Sequence, residues 1–396
     1  MIIIEPEILK GGLVKNPHPI GCKHLVEEEV SRIQKEKTSI KKKALIIGAS
    51  SGYGLSSRII LSFGTDCQTV CLSQETPPNN RRLGSSGWWN DFWVKKLAKK
   101  YKSSTKSFID DCFLDTSKAK VIDYIKRFVG KIDLLIYSVA APQRRDPKTG
   151  ILYKSVLKST IGEKVDLDID LKKQCLIYKK VGKATPTEIY NTEKVMGGED
   201  WSLWIDILRK ENLLSNNFQT TSFSYEGSNL TSFIYKNGTI GIAKKHLEKT
   251  ALKLNSDLKS IGGKAFITFA KATITKASIF IPYFSLYASS LSKVMKGMNI
   301  YEGTYEQINR FLKTVIFSTK TKTSFNKKNE IRLDNLEMRD NIQDPVSKIL
   351  QKINPSNFRE LIDFDCFFKD YLKVHGFCVE GVDYKNKIDL DGILKV

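Results

Sequence analysis

The stretch Ala44-Leu-Ile-Ile-Gly-Ala-Ser-Ser-Gly-Tyr-Gly-Leu-Ser-Ser-Arg-Ile-Ile-Leu-Ser-Phe63 decides the fold. Its first four residues are apolar and read as a buried strand, and Leu55 to Phe63 reads as the start of an amphipathic helix. Between them Gly48, Gly52 and Gly54 form a glycine-rich turn. Strand, glycine turn and helix together let backbone amides at a helix N-terminus approach a pyrophosphate, the context a dinucleotide site requires. Outward from this point, Gln68 to Ser73 reads as a second strand ending at Gln74-Glu75. An acid there, about 20 residues past the turn, suits the adenosine ribose hydroxyls and repels a 2′-phosphate, so it favours NADH over NADPH. Arg81 and Arg82 follow closely and soften that preference. Ser107 to Ile109, leading into Asp110-Asp111-Cys112, reads as a third strand, and Ile132 to Tyr137 as a fourth. The small residues after Tyr137 let a strand end pass close to a nucleotide. Strands alternating with helices from 44 to 142 predict the α/β class, with a doubly wound parallel sheet.

The remaining chain is read as additions to that sheet. Met1 to Ile4 is expected to be a short strand, and Leu25 to Lys37 has helical spacing. Residues 143–185 are polar and irregular and read as an insertion, with a Lys-rich strand pair between 151 and 180. Helices are expected over Thr187 to Val195 and Trp201 to Lys210, a fifth strand over Phe218 to Tyr225, and a sixth over Lys264 to Phe269. A long apolar helix is expected from about 277, and more helices from 300 onward. The expectation is one enlarged nucleotide-binding domain over 1–396. Its parts are an N-terminal extension (1–42), a nucleotide-binding half (43–142), an insertion with helices (143–215), a catalytic half with an apolar substrate helix (216–299) and a helical C-terminal part (300–396).

Composition narrows the class. The net charge is +21, but of the 64 basic residues 52 are Lys and 12 are Arg. Nucleic-acid binders rely on clustered Arg forks and interleaved aromatics. The lysines here are dispersed, which argues against a nucleic-acid partner, although a basic surface still favours anionic ligands. The seven cysteines make no CxxC pair and the four histidines no cluster, so neither metal nor disulfide is expected. No signal peptide is evident, and the most apolar run, Ala277 to Leu291, is interrupted by Pro282 and too short to span a bilayer. A cytoplasmic monomer without an integral membrane segment is the expectation.

Chemistry is concentrated in Ser232-Phe-Ile-Tyr-Lys-Asn-Gly-Thr-Ile-Gly-Ile-Ala-Lys-Lys245. Tyr235 and Lys244 stand nine positions apart, which on one continuous helix, at roughly 100° per residue, would put them on opposite faces. Tyr235 is therefore expected on a loop and Lys244 on a helix that begins near Thr239, with Asn237-Gly238 as the turn and Thr239 as the N-cap. An ammonium beside a phenol favours the phenolate and lowers its pKa. This makes the pair a candidate proton donor at neutral pH.

The chain resembles the FabV-type enoyl-acyl-carrier-protein reductases and the related trans-2-enoyl-CoA reductases. The resemblance spans nearly the whole chain. It rests on Pro17-His-Pro-Ile-Gly-Cys22, Gly48-Ala-Ser-Ser-Gly-Tyr-Gly54, Tyr137-Ser-Val-Ala-Ala-Pro142, Val195-Met-Gly-Gly-Glu-Asp-Trp201, the Tyr-x8-Lys pair, and Gly381-Val-Asp-Tyr384. The GxxxGxG spacing itself is typical of short-chain dehydrogenase/reductase-like folds, whose ordinary reductases use a shorter Tyr–Lys spacing. The resemblance implies NADH-dependent reduction of the trans-2 double bond of enoyl thioesters carried on acyl carrier protein or CoA. The alternative is a reductase acting mainly on short-chain CoA esters. A ketoreductase of the same fold is the rival reading, disfavoured by the x8 spacing and by the apolar helix after Thr275.

The resemblance also implies site residues. Tyr235 and Lys244 would be catalytic, Lys244 also binding the nicotinamide ribose, and Tyr225 would contact substrate. Gly48, Ala49, Ser50, Ser51, Gly52, Tyr53, Gln74, Glu75, Asp111, Cys112, Val139, Ala140, Thr273, Ile274 and Thr275 would line NADH. Two positions depart from the family pattern: Gln74 replaces an aromatic, and Lys276 replaces a Gln.

Overall fold

In the computed structural model, which describes residues 1–318 and 329–395, seven strands lie parallel in one sheet. They are β1 (Lys43–Ile47), β2 (Gln68–Ser73), β3 (Thr105–Ile109), β4 (Ile132–Tyr137), β5 (Leu214–Ser224), β6 (Lys264–Phe269) and β7 (Glu330–Arg332). Their spatial order is β3-β2-β1-β4-β5-β6-β7. The chain runs outward from β1 to β3, then crosses back to β4, so the order reverses between β1 and β4. A crevice at the carboxyl ends of the strands at such a reversal is the usual ligand position in open α/β sheets.

Both faces of the sheet are covered, which explains the unbroken apolar run in β1. Ala44 and Ile46 join a core with α1 (Pro19–Gln34), α2 (Gly52–Phe63) and α3 (Ser86–Tyr101). Leu45 and Ile47 join the opposite core with α4 (Asp115–Phe128), α6 (Glu199–Lys210) and α7 (Thr239–Asp257). Each of these side chains is fully buried, which stabilises by roughly 1.5–3 kcal/mol per large residue. The helix α5 (Pro186–Met196) packs on α7.

A third apolar cluster lies beyond the strand ends. It contains α8 (Phe284–Gly297), α10 (Asp340–Lys352), α11 (Phe358–Leu361) and α12 (Phe364–Lys373), and it takes in Tyr235 and Tyr287. α9 (Thr304–Phe311) instead packs on α2.

Several expected elements differ in extent. Met1 to Ile4 contributes a single bridge, Ile2 with Ile388, in place of a strand. The first helix starts at Pro19, where proline suits a first turn and His18 Nδ1 accepts from the Gly21 amide. The insertion holds two antiparallel pairs, Gln143–Arg145 with Leu152–Lys154 and Lys164–Asp170 with Cys175–Val181. The apolar helix begins at Phe284, after Pro282 and a left-handed Tyr283 at φ 65°, because Pro282 lacks the amide a continuous helix from 277 would need. The strand β7 was not foreseen: it has three residues, too few for an alternation pattern to register. All seven cysteines are free, no described helix is long and apolar enough to cross a membrane, and no metal-binding group occurs among the described residues.

Candidate active site

The predicted site residues all follow carboxyl ends of parallel strands, and the sheet brings them to one edge. At β1 the glycine turn is forced by sterics. Gly48 has φ 86°, and a Cβ there would lie 2.1 Å from the Ser138 carbonyl oxygen at the end of β4. A Cβ on Gly54 would lie 1.9 Å from the Gly48 carbonyl oxygen. Only glycine permits these approaches. The turn is pinned from below, since the Gly48 amide donates to the Leu72 carbonyl at 2.8 Å and the Ala49 amide to Ser73 Oγ at 2.9 Å. Asn90 of α3 donates to the Ser50 carbonyl at 3.0 Å. Ser51 caps α2 without a side-chain bond, which leaves first-turn amides available to an anion. This narrow, amide-lined cradle fits a dinucleotide pyrophosphate.

Glu75 stands where predicted, after β2, but its carboxylate is engaged. Ser50 Oγ donates to Oε1 at 2.6 Å, Ser85 Oγ donates to Oε2, and Lys276 Nζ lies 3.3 Å from both oxygens. Lys276 comes from the far side of the cradle, where the Thr275 methyl lies 3.5 Å from the position of a Gly52 Cβ. Gln74 is exposed. Asp111 Oδ1 accepts from the Phe113 amide at 2.9 Å, which turns the chain after β3. Cys112 is buried, and burial pushes its thiol well above the ordinary range. Val139 is half-buried and Ala140 exposed after β4. Thr273, Ile274 and Thr275 follow β6, with Thr273 Oγ1 accepting from Gln307 Nε2 at 3.0 Å. That same amide lies 3.3 Å from the Tyr53 hydroxyl, so Gln307 of α9 joins the glycine turn to the 273–275 segment.

Tyr235 and Lys244 are placed on a loop and a helix, as their spacing requires. The N-cap is Gly238, and Thr239 is the first helical residue, its hydroxyl turned outward to donate to the Val156 carbonyl of the insertion. Gly241 lets the loop sit on the helix, since a Cβ there would meet the Tyr235 carbonyl at 2.0 Å. Lys244 Nζ reaches the sheet and donates to the Phe223 carbonyl at 3.4 Å.

The expected acidification of Tyr235 by Lys244 is corrected. Burial pushes the Tyr235 phenol well above its usual value, and the charge of Glu337 adds to the rise. Burial also pulls Lys244 down to about 8. Desolvation disfavours both charged forms here and outweighs any attraction between them.

Tyr225, at the end of β5, lies edge-on to Tyr235, with ring centroids 4.6 Å apart. Its hydroxyl donates to Glu337 Oε1 at 2.7 Å, as does that of Tyr287 at 2.7 Å. Glu337, Tyr287 and Gln307 were missed by sequence reasoning. Each is a single polar residue from a C-terminal element without a local motif, and only the fold brings them to β5 and β6.

The chain matches three family descriptions: "NAD(P)H binding domain of trans-2-enoyl-CoA reductase" over residues 3–80, "Trans-2-enoyl-CoA reductase catalytic region" over 82–317, and "Enoyl reductase FAD binding domain" over 325–388. It is 43% identical to a trans-2-enoyl-CoA reductase [NADH] of Clostridium beijerinckii over the full length of both chains. The chain belongs to the trans-2-enoyl-CoA reductase family. Within that family it is also 39% identical, over the full length of both chains, to an enoyl-[acyl-carrier-protein] reductase [NADH] of Photobacterium profundum. The crystal structure of the Clostridium acetobutylicum trans-2-enoyl-CoA reductase in complex with NADH superposes with a TM-score of 0.96 at 43% identity, covering 100% of this chain and 99% of that one.

The family's nucleotide segment contains the cradle at Gly48–Gly54. The 325–388 segment has no equivalent among its described residues. A Cβ on its Gly376 would lie 2.5 Å from the His18 carbonyl oxygen, so this glycine serves packing against α1, and Gly381 faces His24. The residues of that segment therefore do not fit a flavin cradle of the kind the glycine turn provides.

Proposed function

We propose that this protein reduces the trans-2 double bond of enoyl thioesters with NADH, taking acyl-carrier-protein and CoA thioesters at the same site. One observation carries the reading: Tyr235, buried at the carboxyl edge beside the dinucleotide cradle, has a hydroxyl with no protein hydrogen-bond partner among the described residues. Bound NADH supplies a hydride for the β-carbon of the enoyl group. The cradle residues Gly48 to Tyr53, with Glu75, Asp111, Cys112, Val139, Ala140 and Thr273 to Thr275, would hold the cofactor, with Gln74 at its exposed rim. Lys244 would hold the nicotinamide ribose.

Negative charge develops on the thioester oxygen during reduction. A hydrogen bond from Tyr235 to that oxygen stabilises it as it forms, in a water-poor setting where such a bond is strong. The raised pKa suits this role. The phenol stays protonated at neutral pH, and a thioester enolate is basic enough to take its proton at the α-carbon. Tyr225 would contact the acyl substrate, and the apolar face of α8, with Leu286, Ala288 and Leu291 buried, lies in the same cluster as Tyr235. The test is NADH oxidation followed at 340 nm with crotonyl-CoA and with a longer enoyl thioester on each carrier. Oxidation with none of these substrates would overturn the reading.

A further inference from the structure

Three hydrogen bonds converge on one sealed carboxylate beside Tyr235. Glu337 lies in the turn between β7 and α10, with no exposed surface. Its Oε1 accepts from the hydroxyls of Tyr225 and Tyr287, each at 2.7 Å, and its Oε2 accepts from the Ala272 amide at 2.7 Å. Gln343 of α10 donates to the Tyr287 oxygen at 3.1 Å and to the Glu337 backbone carbonyl at 2.7 Å. The Tyr287 oxygen thus accepts on one side while its proton faces Glu337. A phenol has one proton to give.

The geometry points to Glu337 as the positioning residue that decides which tyrosine donates: its carboxylate holds the Tyr225 and Tyr287 protons and leaves Tyr235 as the phenol of the three with an uncommitted O–H. This rests on the enoyl-reductase reading above. Without Glu337 the choice would be open, because Tyr235, on the loop before α7, is in ring contact with Tyr225 at the end of β5. The charged and titratable groups around the carboxylate are Tyr225, Tyr235, Tyr287, Tyr53, Lys271 and Asp334. Burial pushes the Glu337 carboxyl above its ordinary range, and Lys271, the cation among them, opposes that rise together with the three hydrogen bonds the carboxylate accepts. The carboxylate in turn raises the Tyr235 phenol.

The test places Tyr235→Phe in the parent chain and in a Glu337→Gln background, with NADH binding by fluorescence as the check on folding. With Gln at 337, its amide donates towards the phenol oxygens and frees the Tyr225 proton. In the parent, Tyr235→Phe is expected to lower kcat for crotonyl-CoA reduction by a factor on the order of 10²–10⁴. In the Glu337→Gln background the loss should be at least about tenfold smaller, and adding Tyr225→Phe should restore the full loss. Glu337→Gln alone should move the alkaline limb of kcat to lower pH, because removal of the negative charge eases ionisation of Tyr235.

An equal loss in both backgrounds with an unmoved alkaline limb would reduce Glu337 to a structural residue. If Glu337→Gln fails to bind NADH, Tyr225→Phe in the parent decides. A raised KM with a kcat loss at least about tenfold smaller than that of Tyr235→Phe supports the assignment, and an equal kcat loss overturns it. A parent chain that oxidises no NADH with any enoyl thioester would sink the functional reading and this inference with it. An active parent with equal losses sinks this inference alone.

Discussion

At the scale of single residues, Tyr235 and Lys244 are separable by pH. Tyr235→Phe removes one hydroxyl from a buried ring and leaves its packing intact. NADH binding should persist while turnover falls by a factor on the order of 10²–10⁴, read by steady-state kinetics beside fluorescence binding. A variant that turns over at the parent rate would remove Tyr235 from the mechanism. Lys244 behaves differently. Its amine is pulled down to about 8 by burial, so the ammonium is present below that pH and lost above it. An ammonium is the form that donates to ribose hydroxyls. NADH affinity should therefore be constant below about pH 7 and fall as pH rises through 8. Lys244→Met should show weaker binding with that step gone. A parent affinity flat from pH 7 to 10 would contradict the ribose assignment.

At the scale of elements, the end of β2 and the segment after β6 meet in the Glu75–Lys276 pair. From its place after β2, Glu75 is expected to face the 2′-position, with Arg81 and Arg82 softening its preference. In the fold its charge is shared with Lys276, whose side chain is 28% exposed against 7% for Glu75. The ammonium so placed offsets part of the repulsion a 2′-phosphate would meet from the carboxylate. NADH should still be preferred. Glu75→Gln should narrow the kcat/KM ratio between NADH and NADPH, and Lys276→Gln should widen it, each by several-fold. A ratio unmoved by either change would place the 2′-position elsewhere.

The pair also marks where sequence reading ended. Glu75 and the glycine turn were legible because strand, turn and acid follow one another within about 30 residues. Lys276 enters from 201 positions away, and Tyr287 and Glu337 come from elements whose positions depend on packing over the strand ends. Local pattern carries no signal for such a meeting. The pKa of Tyr235 was misjudged for the same reason, since spacing shows that a lysine is near but not that both groups are desolvated.

At the scale of the whole molecule, the loop that carries Tyr235 is held from two sides by segments far apart in sequence. Inside, it rests on α7 through Gly241. Outside, residues 156–160 of the insertion run beside its turn. The Thr239 amide donates to the Lys158 carbonyl at 2.9 Å, and the Thr160 amide and hydroxyl both donate to the Asn237 carbonyl at 2.8 Å. The Thr239 hydroxyl, fully buried, donates to the Val156 carbonyl, which otherwise has Thr192 Oγ1 at 3.4 Å. The insertion is thus a clamp on the loop that carries Tyr235. Thr239→Val keeps the shape of the side chain and removes that donor. It should cost about 1–3 kcal/mol in chemical denaturation, because the Val156 carbonyl loses its close partner in a buried place. If the clamp positions Tyr235, the same variant should lower kcat by more than it changes NADH affinity, since the cradle at β1 lies outside the loop. Equal effects on both, or a kcat unchanged despite lost stability, would show that the loop holds Tyr235 in place without the insertion.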